Sequence, residues 1–410
     1  MKKEIHLKLA CFAMSITMSI VTNLPPILFL TFRSMYGLSF SLLGLLILIN
    51  FSVQLAVDLI FSFFSHKFNI SKTVKAMPWL AVVGLIFYAA APVMFPGYPF
   101  IGLCLGTIVF SAASGLAEVL ISPIIAALPS DDPERTMSGL HSIFAWGVVG
   151  VVILATLFLQ RFGSAHWQLL IAISALVPLL SSILFAGAEI PRIETPSKNT
   201  GALKLLGNRK LWIFFVAVFL AGALELVMSQ WSSSYLEQAL GVPKVWGDVC
   251  GVAMFGGMLA IGRTLYAKKG NNVESVLLLG AIGAAICYFV ATVTPIPIFG
   301  LIACAMTGLC VSLMWPGSLS VAAARFPSGG VVVYAMMAAS GDMGAAVAPQ
   351  LVGIITDAAL GNAFVLSLAE KLMMAPEKIS IKLGMAVGLI LSLIAIPIFY
   401  RIKKSKEVSD

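Results

Sequence analysis

The run from Leu211 to Met228 reads LWIFFVAVFLAGALELVM, and Glu225 is its only charged residue. A helix needs about 20 such apolar residues to cross the hydrocarbon core of a bilayer. Similar runs recur along all 410 residues, of which 60% are hydrophobic and 11% are charged. Because about a quarter of the residues of soluble globular proteins are charged, this composition excludes a soluble protein. We expect an all-α polytopic membrane protein.

Twelve apolar segments, here called spans 1 to 12, follow one another along the chain. They cover residues 7–32, 39–65, 74–95, 98–128, 136–160, 165–188, 210–238, 246–267, 272–293, 296–324, 330–358 and 379–401. A polar interval rich in proline and charge separates spans 6 and 7 and is typical of a linker. The sequence therefore predicts an N-terminal six-helix half over 1–190, a cytoplasmic linker over 191–209 and a C-terminal six-helix half over 210–410.

The basic residues predict the orientation. If the N-terminus is cytoplasmic, most of the 26 Lys and Arg residues fall in inner segments, including a short basic loop of Arg263, Lys268 and Lys269 after span 8. Cytoplasmic loops of membrane proteins carry such an excess. We expect a multi-pass protein of the inner or plasma membrane with both termini in the cytoplasm. These loops explain the net charge of +8, so no nucleic-acid partner is expected.

The six cysteines lie inside apolar segments and form no CxxC pair and no cluster with histidine. Neither a disulfide framework nor a metal site is indicated, and no cofactor is expected.

The two halves show a weak internal repeat. Asn23 in span 1 aligns close to Glu225 in span 7, and His141 in span 5 aligns close to Asp342 in span 11. Two homologous halves around a midplane site are the usual construction of a secondary transporter. The alternative is that two hydrophobic sequences align by chance.

Acidic residues inside the spans are the main functional candidates, because a charge in hydrocarbon costs about 3 kcal/mol or more unless it is neutralised, paired or in contact with water. Glu118 lies in span 4, Glu225 in span 7 and Asp342 in span 11. No Lys or Arg is expected at comparable depth, and a carboxyl group without a cation favours its protonated form. We predict that all three carry protons and that Glu118 and Glu225 also contact the solute. The alternative is a protonated acid that hydrogen-bonds a neighbouring helix.

Neutral polar and aromatic side chains complete the predicted solute site. They are Asn23, Gln54, His141, Trp146, Trp231 and Trp315. The amides and the imidazole can hydrogen-bond a solute, and the indole rings can stack on a sugar ring. Together with the acids, they are expected to face a central cavity between the halves. For each of them the alternative is packing within the protein.

Local patterns in the spans resemble the major facilitator superfamily and, within it, the fucose:proton symporter-like sugar permeases. They are Gly115-Leu-Ala-Glu118 with Ser122-Pro123, Leu140-His141-Ser-Ile-Phe-Ala-Trp146-Gly147, Glu225 with Gln230-Trp231, Gly262-Arg263 and Trp315-Pro316. The resemblance implies alternating access by two rocking halves, and a role of Glu118 in sugar recognition or proton coupling. Pro26 stands where those permeases have an acid in span 1, which leaves Glu225 or Asp342 as the coupling group.

Signatures of soluble catalysis, such as a Walker loop, GxSxG or HExxH, do not occur in the sequence, so we do not expect an enzyme. The sequence predicts a monomeric secondary active transporter in the lipid bilayer that moves a small polar solute, such as a sugar, in symport with protons. Two alternatives are a proton-coupled exporter of drugs or hydrophobic metabolites, and a membrane sensor that binds a solute without moving it.

Overall fold

The computed structural model describes residues 2–64, 67–128, 133–191, 208–269, 272–326 and 330–407. Helices make up nearly all of this part of the chain. Eleven helical segments are long and apolar enough to cross a membrane, and the apolar part of span 5, Trp146–Phe162, is shorter. The predicted all-α membrane fold is confirmed, with span 5 supplying the twelfth helix.

The helices of the N-terminal half begin and end close to the predicted limits. Span 1 consists of Lys2–Ile27 and Phe29–Tyr36, span 2 of Phe40–Phe64, span 3 of Ile70–Met94, span 4 of Pro99–Ala126, span 5 of Pro133–Phe162, and span 6 of Trp167–Ser174 and Leu176–Ala186 after a 3₁₀ turn at Ser164–His166.

The C-terminal half contains two interrupted spans. Span 7 is Arg209–Leu240, span 8 is Lys244–Trp246, a π-helix Gly247–Ala253 and Met254–Lys269, span 9 is Val273–Val293, span 10 is Pro297–Val311 and Met314–Arg325, span 11 is Gly330–Leu360, and span 12 is Pro376–Glu407. A short helix, Ala363–Lys371, lies between spans 11 and 12.

Asparagines begin several of these helices. The side chains of Asn69, Asn208, Asn272 and Asn362 each accept a hydrogen bond from a backbone N–H in the first turn of the helix that follows. The first N–H groups of a helix have no partner within it, and asparagine is a preferred cap. Span 7 ends at Gly241, whose φ of 67° lies in the left-handed region that favours glycine.

Contacts between Cα atoms divide the chain into two compact units. The first contains Met1–Tyr36 and Ile49–Asn199, and the second contains Gly37–Leu48 and Thr200–Asp410. The start of span 2 belongs to the second unit, where Asp357 of span 11 caps it. The Asp357 carboxylate accepts from the backbone N–H of Phe40 at 3.0 Å and of Ser41 at 2.6 Å. Residues 192–207 lie outside the described part, so the predicted linker boundaries stay a prediction.

The helices pack in the same order within each unit. In the first unit, span 1 packs on spans 5 and 6, and span 3 packs on spans 4 and 6. In the second unit, span 7 packs on spans 11 and 12, and span 9 packs on spans 10 and 12. The packed pairs of the second unit are those of the first unit with six added to each span number. Two homologous six-helix halves produce this pattern.

Candidate functional site

Four neutral side chains join spans 2 and 4 of the first unit. This amide cluster consists of Asn50, Gln54, Ser111 and Ser114. The hydroxyl of Ser111 and Nε2 of Gln54 donate to Oδ1 of Asn50 at 2.6 and 2.9 Å, and the hydroxyl of Ser114 donates to Oε1 of Gln54 at 3.0 Å. Residues three or four apart share a helix face, so each helix presents its pair to the other. Gln54, a predicted solute contact, is therefore engaged in holding two helices together.

Glu118 lies one helical turn beyond Ser114 on span 4. Residues four apart lie on the same helix face, so the acid continues the line of the amide cluster. Its neighbour Ala117 is buried in the core of the unit, whereas Glu118 itself is exposed. The structure thus places a carboxyl group on an accessible face beside buried amide and hydroxyl groups.

The other predicted contacts of the first unit lie on spans 1 and 5. Asn23 is buried, and its amide donates to the carbonyl of Ser19 in its own helix at 2.9 Å. The hydroxyl of Ser19 donates in turn to the carbonyl of Phe144 in span 5, also at 2.9 Å. Trp146 follows on span 5 and is 74% exposed. His141 belongs to the same helix, but its side chain lies outside the described residues.

Glu225 in the second unit has a cationic partner. Nη2 of Arg263 lies 3.6 Å from Oε2 of Glu225, with 45% and 21% of the two side chains exposed. The expectation that no cation lies at the depth of Glu225 is wrong. The helix of span 8 continues to Lys269, so Arg263 lies inside it rather than in a loop. A long arginine side chain can then bring its charged group to span 7.

Arg263 also binds the interrupted span 10. The first helix of that span ends at Val311, and the second begins at Met314. Pro316 has no N–H, so the carbonyl of Ser312, four residues earlier, loses its usual helical donor. Nε of Arg263 donates to this carbonyl at 3.0 Å. One guanidinium therefore connects an acid on span 7 to a broken helix on span 10, an arrangement here called the arginine bridge.

Trp315 and Asp342 lie close to the arginine bridge. The indole of Trp315 covers two glycines: a Cβ built on Gly222 would lie 2.9 Å from its Cζ3, and one built on Gly341 would lie 2.5 Å from its Cη2. Gly222 is one turn before Glu225, and Gly341 directly precedes Asp342, which is 6% exposed. The structure therefore gathers three of the predicted residues in one region of the second unit.

Trp231 is fully buried in the second unit. Its Nε1 donates to the carbonyl of Pro349 in span 11 at 2.9 Å, and its ring centroid lies 6.1 Å from that of Phe40. In this conformation the ring of Trp231 packs against residues of spans 2 and 11 rather than facing a solute.

The family profile of the Major Facilitator Superfamily matches residues 9–349. The chain belongs to the major facilitator superfamily. It is therefore a multi-pass membrane protein of a family of transporters, as the coarser part of the resemblance implied. The assignment to the fucose:proton symporter-like permeases stays a hypothesis.

Several known proteins resemble this chain over most of its length. The membrane protein MosC of Rhizobium meliloti is 24% identical over 351 residues, which cover 84% of this chain and 82% of that protein. The crystal structure of a bacterial homolog of the human lysosomal transporter Spinster, in an inward-facing and occupied conformation, matches with a TM-score of 0.74 at 14% identity and covers 98% of this chain and 97% of that one. A D-xylose-proton symporter matches with a TM-score of 0.70 at 16% identity and covers 96% of each chain. At these identities the structures show a shared fold.

The arginine bridge was not predicted as a functional feature of this superfamily member, although two signals for it exist in the sequence. Arg263 interrupts an otherwise apolar run. Pro316 has no backbone N–H, so the carbonyl of Ser312, four residues earlier, is left without its helical donor. What the sequence does not contain is the closeness of spans 7, 8 and 10, which brings the two together.

Proposed function

We propose that the chain is a proton-coupled secondary transporter that moves a small polar solute in symport with protons. The observation that supports coupling is the arginine bridge. A proton on Glu225 cancels the negative charge that holds Arg263, while the hydrogen bond from Arg263 to Ser312 does not need that charge. Proton binding on span 7 is thereby linked to the position of a guanidinium at the break in span 10.

Recognition of the solute is assigned to polar groups of the first unit. The amide cluster holds spans 2 and 4 in register, and Glu118 extends its line onto an exposed face. A carboxylate there can accept hydrogen bonds from hydroxyl groups, and the exposed indole of Trp146 can stack on a ring. This chemistry fits a hydroxylated solute such as a sugar, as the resemblance to sugar permeases implies.

In the cell, we propose that the chain lies in the inner or plasma membrane with both termini in the cytoplasm. The excess of Lys and Arg in one set of loops supports this orientation.

Uptake into proteoliposomes tests the function. The full chain is reconstituted, the outside is made acidic, and labelled monosaccharides, nucleosides and hydrophobic dyes are compared. We expect accumulation of a polar solute that depends on the pH gradient. The Glu225→Gln variant should lose this accumulation by tenfold or more but should still exchange labelled for unlabelled solute, because exchange needs no net proton movement. Glu118→Gln should weaken both, since it removes a solute contact.

Glu370→Gln is the matched control, because Glu370 is an exposed acid on the short helix after span 11, and it should behave like the unchanged protein. If Glu225→Gln keeps gradient-driven accumulation, the coupling assignment is wrong. Proton-driven loss of dyes from the vesicles would support the exporter instead. Binding of a solute without any movement would support the sensor.

A further inference from the structure

Spans 9 and 10 leave a groove between them on the surface of the second unit. The groove has a volume of about 370 Å³. Its walls are apolar and include Ile286, Phe299 and Ile302, whose side chains are exposed. Exposed apolar side chains on helices that cross a bilayer contact the lipid tails, which are equally apolar. Apolar molecules dissolved in the bilayer can therefore reach the groove.

Two thiols meet in this groove. Cys287 of span 9 and Cys310 of span 10 both line it. A Cβ built on Gly283 would lie 2.6 Å from Sγ of Cys310, and Cys287 follows Gly283 by one turn on the same face of span 9. One of the two thiols donates a hydrogen bond to the sulfur of the other. The structure thus places two sulfur atoms from different helices beside each other.

Two glycines of span 9 allow this close approach. The backbone oxygen of Cys310 occupies the space that a Cβ on Gly280 would need, and its sulfur occupies the corresponding space at Gly283. Residues three apart share a helix face, so the two glycines form one contact surface for span 10. The thiol pair is therefore produced by helix packing, and a sequence without a CxxC pair does not reveal it.

The number of available ligands limits what the pair can bind. Within the described part of the chain, no group of three or more His, Cys, Asp or Glu side chains could hold a metal ion. Cys304 of span 10 is 0% exposed and does not line the groove. Thr307 hydrogen-bonds Cys287, but its hydroxyl oxygen is a poor ligand for a soft metal. Zinc prefers four protein ligands in structural sites and three in catalytic sites, so the pair suits a centre that forms two bonds to sulfur.

The apolar surroundings limit the ligand further. Thiolates bind soft metals and metalloids, whereas a net charge among hydrocarbon groups is costly. A divalent mercuric ion with two thiolates is neutral, but it has no further substituent and leaves the groove empty. A trivalent arsenic with one organic group and two thiolates is also neutral, and its organic group can fill the groove.

We propose that Cys287 and Cys310 form a binding site for trivalent arsenic compounds that carry an apolar organic group. With phenylarsine oxide, both thiols release their protons, the bond between arsenic and oxygen breaks, and the oxygen leaves with the two protons as water. Two arsenic–sulfur bonds form, and the arsenic stays trivalent, so no oxidant or reductant is needed. The phenyl ring then contacts Phe299 and Ile302 in the groove. The site requires neither a known solute nor proton coupling at Glu225.

Adduct formation with phenylarsine oxide tests the site. The purified full chain, with all six cysteines reduced, is incubated with the reagent and an excess of glutathione, which removes arsenic held by a single cysteine. Intact-protein mass spectrometry counts the bound phenylarsenic groups, and peptide mapping locates the cysteines that hold them. We expect one group per chain, bound to both Cys287 and Cys310. A phenylarsine oxide with a sulfonate on its ring should bind tenfold or more weakly, because its charge does not fit an apolar groove.

Three variants test the pairing of the thiols. Cys287→Ser and Cys310→Ser should each lower binding by tenfold or more, because one thiol supplies only one bond. Gly283→Ala keeps every thiol but moves the sulfur of Cys310 away, so binding should fall several-fold. The matched controls are Cys250→Ser, which removes another half-buried cysteine of the same unit, and Gly257→Ala, where a Cβ meets no atom within 4 Å. Both should bind like the unchanged protein.

No adduct on the unchanged protein, or an adduct on other cysteines, overturns the proposal. The same is true if Gly283→Ala binds as well as the unchanged protein, or if the sulfonated compound binds equally well. Unfolding does not imitate the expected result, because an unfolded chain exposes all six cysteines and would bind more than one phenylarsenic group. A failure of transport at Glu225 leaves all of these results unchanged, so the two proposals fail separately.

Discussion

The two units keep their buried polar groups in different ways. In the first unit the amide cluster is neutral, and its members satisfy one another across spans 2 and 4. In the second unit carboxylates face cations, Glu225 with Arg263 and Asp248 with Lys244. Neutral hydrogen bonds between helices are insensitive to pH, whereas ion pairs change when a proton binds. On the proposed function, the ion pairs of the second unit are therefore the groups that respond to protons, and the amide cluster of the first unit is not.

Removing Arg263 should have the largest effect, because it eliminates the arginine bridge of the second unit. Arg263→Met leaves Glu225 without its cation and the carbonyl of Ser312 without its donor. We expect about 3 kcal/mol lower stability for the two lost contacts and a tenfold or greater loss of gradient-driven transport. Thermal unfolding in detergent and proteoliposome uptake measure the two effects.

Arg263→Lys is the matched variant for this test. A lysine keeps the positive charge but cannot make both directed contacts of the guanidinium, so we expect a result between those of Arg263→Met and the unchanged protein. If Arg263→Met were as stable and active as the unchanged protein, the arginine bridge would have no function.

The second prediction compares equivalent helix pairs, spans 1 and 5 in the first unit and spans 7 and 11 in the second. A Cβ on Gly344 would lie 2.0 Å from the backbone oxygen of Phe219, whereas one on Gly147 would lie 2.7 Å from the hydroxyl of Ser19. A hydroxyl can rotate away and a backbone cannot. Gly344→Ala should therefore cost about 2 kcal/mol by overpacking, and Gly147→Ala clearly less, in the same thermal unfolding measurement.

Gly257→Ala provides the control, because a Cβ there meets no atom within 4 Å, and it should leave the unfolding temperature unchanged. Equal effects of Gly344→Ala and Gly147→Ala would show that the two helix pairs are equally tolerant, which would remove this difference between the units.

Much of the fold could be predicted because the span boundaries follow hydropathy. Span 2, predicted at 39–65, is Phe40–Phe64, and span 9, predicted at 272–293, is Val273–Val293. The break in span 10 follows less directly from the sequence. Pro316 lies inside this span, but the helix breaks near Ser312 because proline leaves the carbonyl four residues earlier without its helical donor.

The candidate site could be predicted in part. Glu225, Trp315 and Asp342 were selected as polar or aromatic groups inside apolar runs, and the structure brings them to one region. The pairing with Arg263 depends on how spans 7 and 8 pack, which hydropathy does not contain. The π-helix around Asp248 is invisible for a related reason, since a local change of helical register leaves the average hydropathy unchanged.

A smaller effect is expected in the amide cluster. Ser111→Ala removes one donor to Asn50, and hydrogen bonds between membrane helices contribute about 0.6 kcal/mol on average. The loss should be the same at pH 5 and pH 8, because neither partner titrates. Parallel unfolding measurements at both pH values check this, with Arg263→Met as the variant whose cost should depend on pH. A pH-dependent cost of Ser111→Ala would contradict the neutral character of the amide cluster.

Trp146 should contribute least to stability, and its variants test whether the first unit contacts the solute. Its side chain is 74% exposed, and exposed substitutions usually change stability by about 0.5 kcal/mol or less. Trp146→Ala should therefore unfold like the unchanged protein. If the ring of Trp146 stacks on the solute, Trp146→Ala should also weaken solute exchange. Trp146→Phe should then retain most of the activity, because an aromatic face remains. Trp212, 51% exposed in the second unit, serves as the matched position, and Trp212→Ala should leave exchange unchanged. If both alanine variants exchange solute normally, the solute contacts of the first unit reduce to Glu118 and its polar neighbours.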